Sequence, residues 1–581
     1  MGAGTLTIYS ASAGSGKTFQ LARIYLSHLF RSRYNYRKIL AVTFTNKATA
    51  EMKGRILEQL FNIATNKKSD YLGDIVKDTG KTEEVIRSEA GEILFHILHD
   101  FSRFSVSTID SFFQKVLRAF TREAGLQSGF NIELDHILIL ESAVEETIAS
   151  AADDPDLQRW LKDYVLSNLE EEKSWDLKKG IMQLSEELFR ERFKILSVRE
   201  ISKLENKEFL LGYTDKLRSV LSSFEKKLKS MGQKALEIYH LHELSDDMFF
   251  QKGRGVPAYI RSLSSGTIIK PNNSVREIMK DPPRWSAKEP SAHLLEAISN
   301  GLEEVLREAV VFYDRNFLIY NSVKAVFSNI YALGILSDVL RRVRMLASSE
   351  NSFLLSDAGE VLSLITGEDQ TPFIYEKIGN KFENFMIDEF QDTSILQWSN
   401  FQPLIINSMG EGHDNLVVGD IKQSIYRWRN SDWRILAEMQ ADAENNKRYI
   451  TKPLKTNWRS RANIIRFNNS LFSLIPAQVE SSFPDGQLSV RFTDLYSESV
   501  QNDPGRGSGG YVRLEFIDNE YDTETETGNK KRKIIKKWDE IVLQKLPLVI
   551  ETFLSKGYRA SDIGILVRER REGEAVLRRM I

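Results

Sequence analysis

Residues 10–18 read Ser10-Ala11-Ser12-Ala13-Gly14-Ser15-Gly16-Lys17-Thr18, directly after the apolar positions Leu6, Ile8 and Tyr9. A short strand running into a glycine-rich loop that ends in Lys-Thr has the form of a P-loop. Gly14 and Gly16 let the backbone curl so that successive N–H groups face inward, toward phosphate oxygens. Lys17 has the reach for β- and γ-phosphates, and the Thr18 hydroxyl suits Mg²⁺. A helix starting there turns its positive end to the same anion. The usual pattern, G-x-x-x-x-G-K-[ST], is broken at its first position by Ala11, which is still small. Residues Ala11 to Thr18 are therefore assigned to a nucleoside triphosphate, with Thr18 also assigned to the metal.

Around this loop the chain has 581 residues, 41% hydrophobic and 28% charged, with a formal net charge of −2 and no cysteine. At about 150 residues per domain, three or four domains are expected. The lack of cysteine excludes disulfides, iron–sulfur clusters and thiolate-bound zinc. No apolar run approaches the ~20 residues of a membrane span, and the N-terminus lacks signal-peptide regions. A cytoplasmic protein with no membrane partner is expected. The near-neutral charge does not exclude a locally basic nucleic-acid groove. At the C-terminus, Ile563–Val567 reads as a buried strand and Glu574–Ile581 as the start of a helix, an ending expected of a piece of a longer protein.

Strand-like runs at Leu6–Tyr9, Ile39–Phe44 and Val106–Thr108 alternate with helical stretches, the pattern of a parallel sheet. From about Glu123 to Ser356 the periodicity is helical, as in Ile137–Ala151, Leu302–Val311 and Ile335–Leu346, with a loop-rich excursion, marked by prolines, at Gly253–Trp285. Strands resume at Phe385–Ile387 and Leu416–Val418. The expected fold is α/β. A first domain comprises 1–118 and 355–450, a mostly helical insertion 119–354, and a further region begins at 451. That region holds a helix at Ala462–Leu474, the linker Asn502–Gly510, a strand at Tyr511–Ile517, and a run from acidic Asp522, Glu524 and Glu526 into basic Lys530 to Lys537. The charged run reads as a solvated hairpin or helix start, with a DNA-backbone contact as the other reading.

Two further motifs carry chemistry. In Phe385–Thr393, F-M-I-D-E-F-Q-D-T, an apolar strand delivers Asp388 and Glu389 to its C-terminal end, where α/β sheets bind ligands. A carboxylate there can hold Mg²⁺ while its neighbour orients and deprotonates an attacking water. Asp388 is assigned to the metal and Glu389 to the water. In Val417–Arg429, V-V-G-D-I-K-Q-S-I-Y-R-W-R, Gln423 follows a strand end as a neutral group able to sense a γ-phosphate. Tyr426, Trp428 and Arg429 then mix aromatics with cations, as a base-stacking platform does. Taken alone, Trp428 would read as a core residue.

Together these residues resemble superfamily 1 helicases of the UvrD/Rep class, and within it the RecB and AddA subunits of helicase–nuclease complexes. The motifs run in order: Ala11–Thr18, Ala41–Met52 (A-V-T-F-T-N-K-A-T-A-E-M), Val106–Phe113 (V-S-T-I-D-S-F-F), Asp388–Thr393, Gly419–Arg429 and Leu454–Ser460 (L-K-T-N-W-R-S). Asp110 stands where the family often has His. The K-Q-S-I-Y form at Lys422–Tyr426, the long insertion, and G-F-N-I-E-L-D at Gly129–Asp135 favour the RecB/AddA branch. The resemblance implies a RecA-like P-loop NTPase domain with a large helical insertion, followed by part of a second RecA-like domain. It implies ATP and Mg²⁺ as cofactors, and catalytic roles for Lys17, Asp388, Glu389, Gln423 and an arginine finger, Arg459. Trp458 would stack on adenine, where relatives usually have Tyr. Phe44, Thr45, Asn46, Tyr426, Trp428 and Arg429 would contact DNA. Single-stranded and duplex DNA ends are the implied partners, with an AddB/RecC-like subunit. The implied activity is 3′→5′ translocation and unwinding in DNA-end processing and recombination repair. The second arginine finger and any nuclease domain are expected beyond Ile581. The rival reading is a catalytically silent, helicase-like DNA-binding scaffold.

Overall fold

The computed structural model describes residues 4–119, 131–133, 136–170, 176–190, 193, 203–280, 283–349, 352–354, 382–484, 488, 490–526 and 529–580. It divides into two compact units, Met1–Lys455 and Thr456–Ile581.

The first unit is organised by a six-stranded sheet. Its strands are β1 (Leu6–Ala11), β2 (Ile39–Thr43), β3 (Val106–Thr108), β6 (Asn384–Ile387), β7 (Asn415–Gly419) and β8 (Tyr449–Leu454). They lie in the order β3-β2-β6-β7-β1-β8, parallel at every pairing. Strand periodicity sorts their side chains onto two faces. Tyr9, Ala11, Ile39, Ala41, Met386, Leu416 and Val418 pack with helices Lys17–Leu29, Asn46–Ala64 and Glu83–His99. Leu6, Ile8, Leu40, Val42, Phe385, Ile387 and Val417 pack with helices Ile109–Ala119, Ile395–Gly410 and Trp433–Asp442. Helices on both faces of a parallel sheet are the doubly wound arrangement, which binds ligands beyond the C-terminal strand ends.

The insertion is helical, as expected, and builds two cores of its own. The 47-residue helix Glu303–Ser349 serves both. Leu306, Val310, Tyr313 and Tyr320 join the core of Phe224, Tyr259 and Trp285. Ile330, Ile335 and Val339 join that of Leu140, Trp160 and Ile181. The helix Ala292–Ser349 contains an 18-residue window apolar enough to cross a membrane by composition, which corrects the expectation of no such run, but half of that window is buried inside the protein. Two short strands, β4 (Asn131–Glu133) and β5 (Ser352–Leu354), pair in parallel and tie the two ends of the insertion together. Most of 129–135 beyond that strand, and the expected boundary at 355, lie outside the described residues.

Several local expectations are corrected. Within Gly253–Trp285 stand helices Val256–Ser265 and Asn273–Glu277, and Pro257 occupies the first turn of the former. Proline is favoured there because its missing N–H would have no helical acceptor. In the second unit, Tyr511–Ile517 and Ile563–Val567 are not strands; Phe516 is 95% and Leu566 100% exposed. Neither run meets a pairing strand among the described residues, and an apolar run alone has no ladder to join. The charged run forms an antiparallel hairpin, β9 (Glu520–Glu526) with β10 (Asn529–Lys536), whose register sets Lys531 opposite Glu524 and Lys533 opposite Asp522. The helix at Ala462 continues to Glu480. The first sheet also extends past residue 450, because β8 pairs with β1 through Leu454.

Candidate functional site

The neighbours β6, β7 and β1 end side by side, and each end carries one of the motifs. After β1, Gly14 and Gly16 adopt φ of 76° and 89°, a region open to glycine at little cost. Ala11 is still in the strand, paired with Leu454, so its position needs no such freedom. Helix Lys17–Leu29 starts at once, capped by Gly16, and the first-turn amides of any helix have no intrahelical acceptor. Thr18 lies in that first turn. Ser15 is buried, and its Oγ has no hydrogen-bond partner.

The Lys17 ammonium donates to Glu389 Oε2 at 2.9 Å and to Gln423 Oε1 at 3.1 Å. Residues 17, 389 and 423, far apart in sequence, thus meet at one point. Asp388 lies beside them, buried, its Oδ1 accepting the Glu389 N–H at 3.0 Å. Burial pushes its carboxyl up to about 6, the Glu389 charge adds to this, and Lys17 opposes it. Asp392, also buried, is raised to about 6 by the same two causes, and its Oδ1 is unpartnered. Glu389 itself has φ 49° and ψ 45°, a left-handed conformation uncommon for a residue with a Cβ.

Gln391, Asp420, Lys422 and Ser424 are site residues to which the sequence motifs assign no role. Gln391, 1% exposed, donates to Glu389 Oε2 at 2.8 Å, and its Oε1 accepts the Asp420 N–H at 3.0 Å. Asp420 Oδ2 accepts from Gln423 Nε2 at 2.6 Å, and Asp420 Oδ1 pairs with Lys422 at 2.8 Å. The only available signal was polarity: Q-D and G-D closely follow buried strands, where an unpaired polar group is costly.

These residues suit a nucleoside triphosphate with Mg²⁺. The loop leaves first-turn amides free at the start of its helix, Lys17 supplies a cation, Asp388 is buried beside Glu389, and Ser15 Oγ and Asp392 Oδ1 are buried polar atoms without a partner. Among the described residues no group of three or more His, Asp or Glu could hold a metal alone. A cation here would need phosphate oxygens and waters to complete its shell, which is how Mg²⁺ is usually bound.

Beside this site, at the end of β2, the rings of Phe44 and Tyr426 lie 4.6 Å apart. Tyr426 and Trp428 follow at 6.0 Å, and the Arg429 guanidinium lies 4.8 Å from the Trp428 ring centre. Trp428 is 67% exposed, so it is not a core residue. Thr45 caps helix Asn46–Ala64, accepting the Ala48 N–H. Asp110 accepts from Gln397 Nε2 at 3.1 Å, a contact that gives its carboxylate a partner.

Trp458 and Arg459 belong to the second unit. There the buried Asn457 accepts the N–H groups of Arg459 and Ser460, both at 2.9 Å, and fixes the turn that carries them. Trp458 is half exposed, and the Arg506 guanidinium lies 5.6 Å from its ring centre.

A family model, the UvrD/REP helicase N-terminal domain, matches residues 3–444. The chain belongs to the UvrD/Rep helicase family. Its relatives include the ATP-dependent helicase/nuclease A-subunit of Lactococcus lactis subsp. cremoris, 25% identical over 501 residues, 80% of this chain and 38% of that one. The exonuclease/helicase subunit RexA of the same organism is 26% identical over 503 residues, again 80% and 38%. The corresponding helicase/nuclease A-subunit of Staphylococcus epidermidis is 23% identical over 520 residues, 84% and 40%. The chain therefore spans about two fifths of the length of the UvrD/Rep relatives it matches.

Proposed function

We propose that this chain is the ATP-driven motor portion of a DNA helicase/translocase, moving 3′→5′ on single-stranded DNA. Its setting is a RecB/AddA-like helicase–nuclease that processes DNA ends in recombination repair. The observation carrying this reading is the convergence of Lys17, Glu389 and Gln423 on one ammonium group, beside an exposed aromatic platform.

In this reading the loop amides and Lys17 hold the triphosphate. Thr18 and Asp388 hold Mg²⁺, which when bound would neutralise charge on the β- and γ-phosphates. Glu389 orients the attacking water and takes its proton. Gln423, already paired to Lys17, exchanges that partner for phosphate and so reports its arrival. Arg459 serves as an arginine finger and Trp458 as an adenine-stacking face, the roles that the family resemblance gives to these positions. Phe44, Tyr426 and Trp428 stack on bases while Thr45, Asn46 and Arg429 contact the strand, a grip that does not read sequence. Its partners in this reading are single-stranded and duplex DNA ends and a second polypeptide of AddB/RecC type; that the relatives are named as subunits supports a further subunit. A catalytically silent scaffold would have no use for a buried Asp388 beside a left-handed, partly exposed Glu389 that faces a lysine.

The test is unwinding by the intact protein on duplexes with a 3′ or a 5′ single-stranded tail. ATP-dependent opening of the 3′-tailed duplex alone is expected, and loss of it in Glu389→Gln. Binding without unwinding or turnover would support the scaffold reading instead.

A further inference from the structure

Residues 501–510 read Gln501-Asn502-Asp503-Pro504-Gly505-Arg506-Gly507-Ser508-Gly509-Gly510, a composition suited to a flexible linker. The chain instead fastens this segment to the turn that carries Trp458 and Arg459, all within the second unit. Its start is held by Asn457, whose N–H donates to the Asn502 carbonyl at 3.0 Å and whose Nδ2 donates to Gln501 Oε1 at 2.7 Å. Its end lies on the helix Ala462–Glu480. There Asn463 donates its N–H to the Gly509 carbonyl and its Nδ2 to the Gly510 carbonyl, both at 3.0 Å. A Cβ at Gly510 would lie 2.8 Å from Ile464 Cγ1, so that approach needs a glycine.

Between these ties the segment turns on itself. The Asp503 carboxylate accepts the Gly505 N–H at 2.9 Å, and Gly505 and Gly507 take φ of 76° and 84°, a region that costs glycine little. Arg506, the residue between those glycines, is thereby brought back over Trp458. Its Nη1 donates to the Trp458 carbonyl at 2.8 Å, and its guanidinium carbon lies 5.6 Å from the indole centre. Its own carbonyl accepts from Arg461 Nη1 at 3.1 Å. One side chain thus holds both the backbone and the ring of the same tryptophan. Both side chains are exposed, so the contact adds little to a core, and Trp458 is still 52% exposed beneath it. A cation over an indole face favours one placement of a ring that would otherwise sample several.

We infer that Arg506 is a positioning residue for the nucleotide base: it orders the Trp458 ring in advance, so that adenine meets a fixed face. The inference rests on the reading of Trp458 as the adenine-stacking residue. Ordering one side chain at the moment of binding weakens binding by about two- to tenfold, and Arg506 removes that cost before the nucleotide arrives. Because it acts through the ring alone, it matters for the base and not for the phosphates.

The experiment is calorimetric binding to the intact protein of a non-hydrolysable ATP analogue with Mg²⁺, beside inorganic tripolyphosphate with Mg²⁺, which has no base. The unaltered protein, Arg506→Ala, Trp458→Ala and the double variant are compared. Trp458→Ala should weaken the ATP analogue by about fivefold or more, as loss of a stacked base does. Arg506→Ala should weaken it by about two- to tenfold and leave tripolyphosphate binding unchanged. In the Trp458→Ala background the same substitution should add nothing, because a residue that acts through the ring has no effect once the ring is gone. Normal binding of the analogue by Arg506→Ala overturns the inference. So does equal weakening of the analogue and tripolyphosphate, which is what a general structural role gives, or an effect that persists without the indole. A normal analogue affinity in Trp458→Ala would instead overturn the reading of that ring as the adenine face.

Discussion

Burial beside the Glu389 charge makes the ionised form of Asp388 costly. Its carboxyl is raised from the ordinary value near 4 to about 6 by burial and by the Glu389 charge. The folded state thus binds a proton more tightly than the unfolded chain. Its contribution is present at low pH and is lost as pH rises from about 4 through 6. Asp392 acts in the same direction. Asp388→Asn keeps the oxygen that accepts the Glu389 N–H but removes the charge. The nucleotide-free variant is expected to be more stable than the unaltered protein at pH 7.5, by about 1–3 kcal/mol, with less loss between pH 4 and 6. Denaturant melts at several pH values check this, and equal stabilities at pH 7.5 would contradict it. The same variant should lose ATP hydrolysis. Glu389→Gln should bind nucleotide but turn over ~10²–10⁴-fold more slowly, the usual contribution of a positioned base; near-normal turnover would remove Glu389 from that role.

At the scale of elements, the platform is a short loop held on a rigid sheet edge, and its residues make separable contributions. Phe44→Ala with Trp428→Ala should weaken single-strand binding by a few kcal/mol, at ~1–3 kcal/mol per stacked base. The salt dependence should change little, because no phosphate contact is lost. Unaltered binding would make the two aromatics packing residues. The element scale also shows what the sequence exposed and what it hid. Buried central strands such as Ile39–Thr43 and Asn415–Gly419 announce themselves as apolar runs. The edge strand Tyr449–Leu454 does not, because its Y-I-T-K-P-L carries the lysine and proline that protect an open edge. Lys17, Glu389 and Gln423 were legible because each follows a strand end in a recognisable motif. The Gln391 linkage was not, since it depends on which strands are neighbours and on how closely Gly419 lets two turns approach. In the other direction, Tyr511–Ile517 and Ile563–Val567 carry strand-like patterns, but pattern alone pairs nothing.

At the scale of the whole molecule, the chain brings the glycine-rich loop with Lys17, the Asp388–Glu389 pair and Gln423 to the ends of three adjacent strands, with the aromatic cluster of Phe44, Tyr426 and Trp428 beside them. The helical insertion leaves that arrangement undisturbed because it folds around two cores of its own and closes on itself through β4 and β5. The claim that unites these parts is that single-stranded DNA drives ATP hydrolysis at the Lys17 site. Steady-state ATP turnover by the intact protein, with and without an unstructured single strand, tests it most directly. Turnover is expected to rise by about tenfold or more with DNA, a barrier change of at least ~1.4 kcal/mol, and Lys17→Ala should abolish it under both conditions. Turnover indifferent to DNA, or undiminished in Lys17→Ala, would contradict that claim.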